Sequence, residues 1–401
     1  MRRLMLSVGA VMVVVLVSAA SGSAGSGQTR WVIRDLGTLG GKYSQAVSIN
    51  ERGQVLGLSR IATGARHLFL WADGRTTDLG PYGGDGWLAG GYYGGDGWLA
   101  GLNDRGDVLF TEVFVREGRR ETSIWRRGVR TSLDLFSGSA MNDHGQIVGS
   151  IRAAASSESH AAVWENGRVY DLGVLPGHRE SGGAAINSDG AVLGVSGRRN
   201  EIETRHPSRV FLWQKGKMRG LPVLRGFAPA ETDCVPVAIN DRRQALGYCT
   251  SPFRLRGVLW EDGRMRDLTD AGGLPDPLNL WDSIGIPLFL NERGQIVGQA
   301  NDTAWFWQNG TLTFLDTLGG RGVYPTGVND KGQVVGESRT KTRALHAFVW
   351  ENGTMTDLGT LPGGRYSHAL AINNHGQIVG YSVESGYNAP AHAVLWTLRS
   401  G

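Results

Sequence analysis

From Asp35 to Ser59 the chain reads DLGTLGGKYSQAVSINERGQVLGLS, and from Asp357 to Ser382 it reads DLGTLPGGRYSHALAINNHGQIVGYS. Near-identical text more than 300 residues apart marks one structural unit used again. The core of that text, IN followed by GQ-V-V-G with drift, occurs eight times. Its anchors are Asn50, Asn103, Asn142, Asn187, Asn240, Asn291, Asn329 and Asn373, with spacings of 53, 39, 45, 53, 51, 38 and 44. The first spacing contains a local duplication, YGGDGWLAG at Tyr82–Gly90 and again at Tyr93–Gly101. Removing one eleven-residue copy reduces it to 42.

Each unit has a second landmark, a Trp followed by a turn and then DLG. The Trp residues are Trp71, Trp125, Trp164, Trp213, Trp260, Trp307, Trp350 and Trp396. Five of them open W-x-[ND]-G, and Asn-Gly or Asp-Gly between apolar runs signals a type I′ hairpin turn, which needs positive φ at both positions. The INERGQ landmark fits a four-residue hairpin loop with Gly left-handed. Arg243 replaces that Gly in the fifth unit, which predicts a strained or different turn there. A unit therefore reads as four strands: YSQAVSIN, GQVLGLS, HLFLW and RTTDLG. Four strands in about 45 residues is the size of a propeller blade.

The eighth unit ends at AVLWTLRSG with no DLG strand, while RWVIRDLGTLGG near the N-terminus supplies one. The expected fold is all-β, with residues 29–401 forming one β-propeller-like closed ring of four-stranded repeats. It has eight blades, and the N-terminal strand completes the C-terminal blade. An open solenoid or two smaller domains are the rival arrangements. The spacing also puts His67 diagonal to Asp78, His160 to Asp171 and His346 to Asp357. The eighth unit's His392 then needs an Asp from elsewhere, and Asp35 is the candidate.

Composition agrees. Gly is 61 of 401 residues, against a usual share of roughly 7%, and 13 Trp accompany it. Residues 1–28 read as a secretory signal peptide and short linker, with Arg2 and Arg3 before an apolar run from Leu4 to Val17 and then small residues. Cleavage is expected after Ala20, and an uncleaved anchor is the alternative. Without Arg2 and Arg3 the chain has 39 basic and 37 acidic residues, a balance that does not point to nucleic acid. The chain is expected to be secreted, with no membrane span after cleavage.

The units resemble the extracellular HAF-repeat family, through HAFVW at His346–Trp350, AIN-x-x-GQIVG and HAFVWENGTMTDLGTLPGG. The resemblance covers the whole mature chain and implies a secreted repeat protein of unassigned activity. The second and fourth units depart from it, with TSLDLF and KMRGLP in place of DLG, so irregular blades are expected there.

Candidate chemistry is sparse. A His held by an Asp can serve as a general base, but four recurring pairs read as braces. Cys234 and Cys249 flank the fifth turn at matching distances, facing each other across adjacent strands, and in an exported protein they are expected to form a disulfide. NDRGD at Asn103–Asp107 faintly echoes a calcium loop and is better read as the repeated turn. No G-x-S-x-G is present, and the chain carries no H-E-x-x-H or C-x-x-C. Asp85, Asp96, Glu201, Glu203, Asp233, Asp276 and Asp282 are the carboxylates outside repeat positions, and nothing selects a pair among them.

The duplicated insert and the sixth unit's long loop place Tyr82, Trp87, Tyr93, Trp98 and Trp281 as candidate ligand-stacking residues. The expected function is therefore a secreted, monomeric, non-enzymatic binding or scaffold module for an unknown glycan or protein, without cofactor, metal or catalytic residue. A secreted carbohydrate-active hydrolase or lyase is the alternative.

Overall fold

The computed structural model describes residues 30–82, 101–114, 119–133, 136–152, 158–197, 208–223, 233–251, 254–268, 286–384 and 389–399. These residues form strands and turns, with no helix among them. One plan of four antiparallel strands repeats along the chain. β1 (Arg30–Gly37) stands apart, and β2 (Gly40–Ile49), β3 (Val55–Ile61), β4 (Arg66–Ala72) and β5 (Arg75–Pro81) make the first sheet. Six further sheets occupy 101–132, 136–173, 180–220, 233–267, 287–314 and 319–357. The last contains β6 (Gly364–Ile372), β7 (Ile378–Glu384) and β8 (Ala391–Arg399), and β1 is its fourth strand. β1 runs antiparallel to β8 from Arg30 opposite Arg399 to Asp35 opposite Val394, which is the expected exchange of an N-terminal strand into the C-terminal sheet.

The W-x-[ND]-G turns take the expected form: Asp73 has φ 50° and Gly74 φ 79°, and Asn352 and Gly353 repeat it at 51° and 81°. Arg127-Gly128 and Lys215-Gly216 adopt the same conformation without the Asn or Asp signal. In the second and fourth units the missing DLG does not cost the fourth strand, although the second unit's first strand is only Gly101–Leu102. Their fourth strands, Val129–Ser132 and Lys217–Gly220, form, and the Leu133 and Leu221 N–H groups donate to the carbonyls of Thr122 and Val210 at 2.8 Å. Leu358 does the same to Ala347 at 2.9 Å, so Leu, rather than Asp or Gly, is the part of DLG the strand needs.

The fourth strands are exposed, while the middle strands are covered on both faces. Apolar side chains therefore pack between sheets, in eight clusters among the described residues, each joining neighbours in the repeat order. The cluster of Phe69, Trp71, Val379, Ala393 and Leu395 joins the first sheet to the last. Such close stacking explains the Gly of the GQ-V-V-G core: a Cβ on Gly57 would lie 2.3 Å from the Phe69 ring and 2.4 Å from the Gln45 carbonyl oxygen.

Each anchor Asn is buried. The Asn50 carboxamide oxygen accepts from the N–H groups of Arg52 and Gln54, and its Nδ2 donates to Gln54 Oε1 and to the carbonyl of Asn103 in the next unit, at 2.9 Å for the last. The step to the next unit recurs from Asn103 to Asn142, Asn187, Asn240, Asn291, Asn329 and Asn373, at 2.8–3.2 Å. Asn373 Nδ2 then donates to the Asn50 carbonyl at 3.0 Å, returning to the first unit.

Cys234 and Cys249 are cross-strand partners and form a disulfide, as expected. Arg243 neither opens nor reshapes its turn. It sits at φ 63°, and its N–H donates to the Asn240 carbonyl at 3.0 Å as the glycines do elsewhere. Among the described residues no helix is long and apolar enough to cross a membrane.

Deleting Arg30–Gly41 should lower the melting temperature by on the order of 10 °C or more, because Val32, Ile33 and Leu36 lose their buried places. An unchanged thermal melt would show that β1 contributes nothing to the last sheet. Replacing Asn240, 1% exposed, by Ala should cost about 2–4 kcal/mol in denaturant unfolding, since its partners are left unpaired. A loss below about 0.5 kcal/mol, as at an ordinary surface site, would contradict the role given to the circuit.

Candidate functional site

The turns after the anchor Asn residues carry a second series of bonds, running from Ser188 through Asn374 and Glu51 to Asp143. The residue following the Asn is Glu51, Asp104, Asp143, Ser188, Asp241, Glu292, Asp330 and Asn374 in turn. The Glu51 N–H donates to Asp104 Oδ1 at 2.8 Å, Asp104 to Asp143 Oδ1 at 2.7 Å, and Ser188 to Asp241 Oδ1 at 2.8 Å. The series continues from Asp241 to Glu292 Oε2 and from Glu292 to Asp330 Oδ1, both at 2.8 Å, then from Asp330 to Asn374 and from Asn374 back to Glu51. Six carboxylates are thereby held side by side at one end of the sheets, each fixed by a neighbour's backbone. The residues after them are largely cationic: Arg52, Arg105, Arg242, Arg293 and Lys331.

Glu292 stands out within that row. Partial loss of solvent holds its proton to higher pH, and the negative charges of Asp241 and Asp330 on either side act in the same direction. The Asp241 N–H and the Arg242 guanidinium oppose them but do not cancel the rise. A carboxyl whose proton affinity is raised beside other carboxylates is the kind of arrangement that sets acid apart from base. Asp241 gives one oxygen to the Ser188 N–H. Asp330 is engaged by the Glu292 N–H and, at 2.7 Å, by Asn374 Nδ2.

The four His–Asp pairs form as expected, His67–Asp78 at 2.9 Å, His160–Asp171 at 2.9 Å, His346–Asp357 at 2.8 Å and His392–Asp35 at 2.7 Å. Their other bonds show a brace. Asp35 Oδ1 accepts from Gly37 N–H at 2.7 Å, closing the bulge that ends β1, while Ser44 Oγ bridges the Gly37 carbonyl and the Ala393 N–H. The same Asp-to-Gly bond recurs at Gly80, Gly173 and Gly359. His346 also bonds the backbone of Arg365, so neither ring nitrogen is left to take a proton from a substrate.

Of the residues expected to stack on a ligand, Tyr82 does not. It is buried, its hydroxyl donates to the Thr111 carbonyl at 3.1 Å, and burial, helped by Glu112, pushes its pKa up to about 12. It packs with Leu56, Leu58 and Phe110 because the chain leaving β5 turns into the space between the first two sheets. Trp87, Tyr93, Trp98 and Trp281 lie outside the described residues, as do all the off-repeat carboxylates considered from sequence except Asp233, which accepts from Ser208 at 3.1 Å. The supposed calcium loop is the repeated turn, and Asp107 pairs with Arg126 at 2.9 Å. No group of three or more potential metal ligands occurs among the described residues. The turn carboxylates lie within the repeat rather than outside it, and the acid that follows six of the eight anchor Asn residues was the signal available in the sequence.

No family model matches the chain, and no curated protein matches it. Solved structures do. One is of prolyl endopeptidases studied for the role of inter-domain dynamics in catalysis and specificity, with TM-score 0.53 and 10% identity over 85% of this chain and 54% of that one. Others are a Galerina marginata prolyl oligopeptidase B (TM-score 0.49, 10% identity, 85% and 55% covered) and the Pyrococcus horikoshii acylaminoacyl peptidase (0.46, 11%, 88% and 60%). The chain spans 54% to 60% of the length of these structures. The first likeness shows the fold alone, repeated sheets of propeller type. The expectation of a non-enzymatic module is not retained, since the structure whose fold the chain shares is of prolyl endopeptidases; the alternative, a carbohydrate-active hydrolase or lyase, leaves hydrolysis to be taken up as a proposal.

The His pairs make a pH prediction. Asp357 and Asp35 raise the pKa of His346 and His392, mainly through the hydrogen bond to each ring, against a smaller opposing effect of burial. A raised folded pKa means stabilisation that is complete below the unfolded value of about 6.5 and lost as pH climbs through the folded value. The melting temperature should therefore fall between about pH 6 and pH 8, and the double variant Asp35→Asn, Asp357→Asn should show a smaller fall. Identical slopes in the two proteins would remove the pairs from the pH response.

Proposed function

We propose that the eight sheets close into an eight-bladed propeller, that the chain is an exported member of the HAF-repeat type, and that it is a hydrolase acting at the row of turn carboxylates. Closure is supported by the Asn circuit, which returns to its first unit, by the Asn374-to-Glu51 bond and by the cluster between first and last sheets. Export is supported by the reading of residues 1–28, and the disulfide is compatible with it.

The observation that carries the hydrolase reading is Glu292 held between Asp241 and Asp330 by the turn hydrogen bonds, with its proton affinity raised there. Hydrolysis of a glycosidic or amide bond needs one carboxyl to protonate the leaving atom and one carboxylate to take a proton from the attacking water. Glu292 is the acid. Asp241 is the base, its second oxygen serving the water.

Purified protein incubated with labelled peptide and oligosaccharide panels should hydrolyse one class, with a bell-shaped pH profile. The alkaline limb reports loss of the proton from Glu292, whose affinity for it is raised. Glu292→Gln should lower kcat by about 100-fold or more and remove the alkaline limb. No turnover of either class, or a Glu292→Gln variant with the wild-type rate, would refute the assignment.

A further inference from the structure

Six of the eight turns share a detail. The Gly three residues after the anchor Asn lies against a Gln from the preceding unit: Gly53 is 3.1 Å from Gln377 Oε1 by its would-be Cβ, Gly294 2.6 Å from Gln244, and Gly376 3.4 Å from Gln333. Any side chain there would push into the Gln. In the fourth unit that Gln is Ala191, and in the fifth unit the facing Gly is Arg243. The paired exchange trades a packed amide for a guanidinium held at φ 63°.

Beside it is a cleft of about 350 Å³ between the fourth and fifth sheets, in the lower range of ligand pockets, about 300–1,000 Å³. Its apolar wall is Leu212, Leu221, Ala245 and Trp260, and Arg219, Arg242 and Arg243 line its rim with Asp241, Glu261 and Asp262. The rim acids are partly satisfied from within: Asp241 Oδ1 takes the Ser188 N–H, and Glu261 Oε1 takes Gln244 Nε2. The guanidiniums are engaged loosely, Arg242 through one Nη to the Arg293 carbonyl at 3.3 Å and Arg243 to the exposed Asp189 at 3.7 Å. Each retains donors in the planar fork that suits a carboxylate.

Asp241 belongs both to this cleft and to the site, one hydrogen bond from Glu292. We infer that the cleft is a subsite for the C-terminal residue of a peptide, with the free carboxylate on Arg243 and its neighbours and an aliphatic side chain against Leu212 and Leu221. This rests on the hydrolase reading and supplies its substrate class. A uronate glycan would offer the same carboxylate but needs a ring-stacking face. Trp260, 3% exposed and with its indole N–H donated to the Pro222 carbonyl at 2.8 Å, does not present one.

The test is calorimetric titration of the full chain carrying Glu292→Gln with N-acetyl-alanyl-leucine, its C-terminal amide and an oligogalacturonate. The free acid should bind saturably and the amide at least about tenfold more weakly. Arg243→Gly, which restores the residue of the other turns, should weaken the acid by a similar factor without lowering the melting temperature. Equal binding of acid and amide, binding of neither, binding of the oligogalacturonate alone, or an Arg243→Gly variant with unchanged affinity would each overturn the subsite. Wild-type hydrolysis alongside any of those results leaves the hydrolase reading standing and removes only the subsite. Carboxylate-dependent binding by a protein that hydrolyses nothing does the reverse.

Discussion

One carboxamide, used eight times, sets the geometry on which the rest depends. An Asn side chain has two acceptor sites and two donors. At Asn50 all four are filled, three within its own turn and one by the next unit's carbonyl. Burial makes this unforgiving, because each unmet polar atom there would carry a desolvation cost. Neighbouring sheets are thus held at a separation defined by a hydrogen bond, and apolar packing alone would allow them to slide. The carboxylate row follows from it. With successive turns brought within reach, an acid one residue along meets the next turn's backbone N–H, and that bond fixes the acid's position.

The two ends of each unit differ in what they can do. At the His–Asp end the bonds are spent on covering a bulge, and Ser44, Asp35 and His392 satisfy one another and the nearby backbone. Such a network holds a strand in place and has nothing left for a substrate. At the turn end a like-charged row has been assembled, and within it Glu292 holds its proton more tightly, first through partial loss of solvent and then through the charges of Asp241 and Asp330. Repetition itself does not make a site. The departures from it do: Ser188 and Asn374 interrupt the acids, and Ala191 with Arg243 interrupts the Gln–Gly contacts.

Much of the architecture was legible in the sequence because it is local. The W-x-[ND]-G turns, the four-strand unit, the Cys234–Cys249 register and the His–Asp diagonals all follow from hairpin geometry and a period of two. The pairing of β1 with β8 was legible by counting strands. Two expectations failed for instructive reasons. Irregular blades were expected from missing Asp and Gly, but the fourth strand is held by a Leu whose N–H bonds backward and whose side chain is buried. Tyr82 was assigned to an exposed loop, but its ring fills the gap between two sheets.

By itself, then, the sequence determined the unit, its strands, its turns and the N-to-C pairing, since each depends on residues close in the chain or on matching counts. The tertiary structure alone decided which repeated residues become neighbours across units. Glu51, Asp104, Asp241, Glu292 and Asp330 are dozens of residues apart and individually unremarked, and their side-by-side placement arises only when the turns are joined through the Asn circuit. A pKa depends on charges and solvent around a group in space, so the character of Glu292 had no signature along the chain.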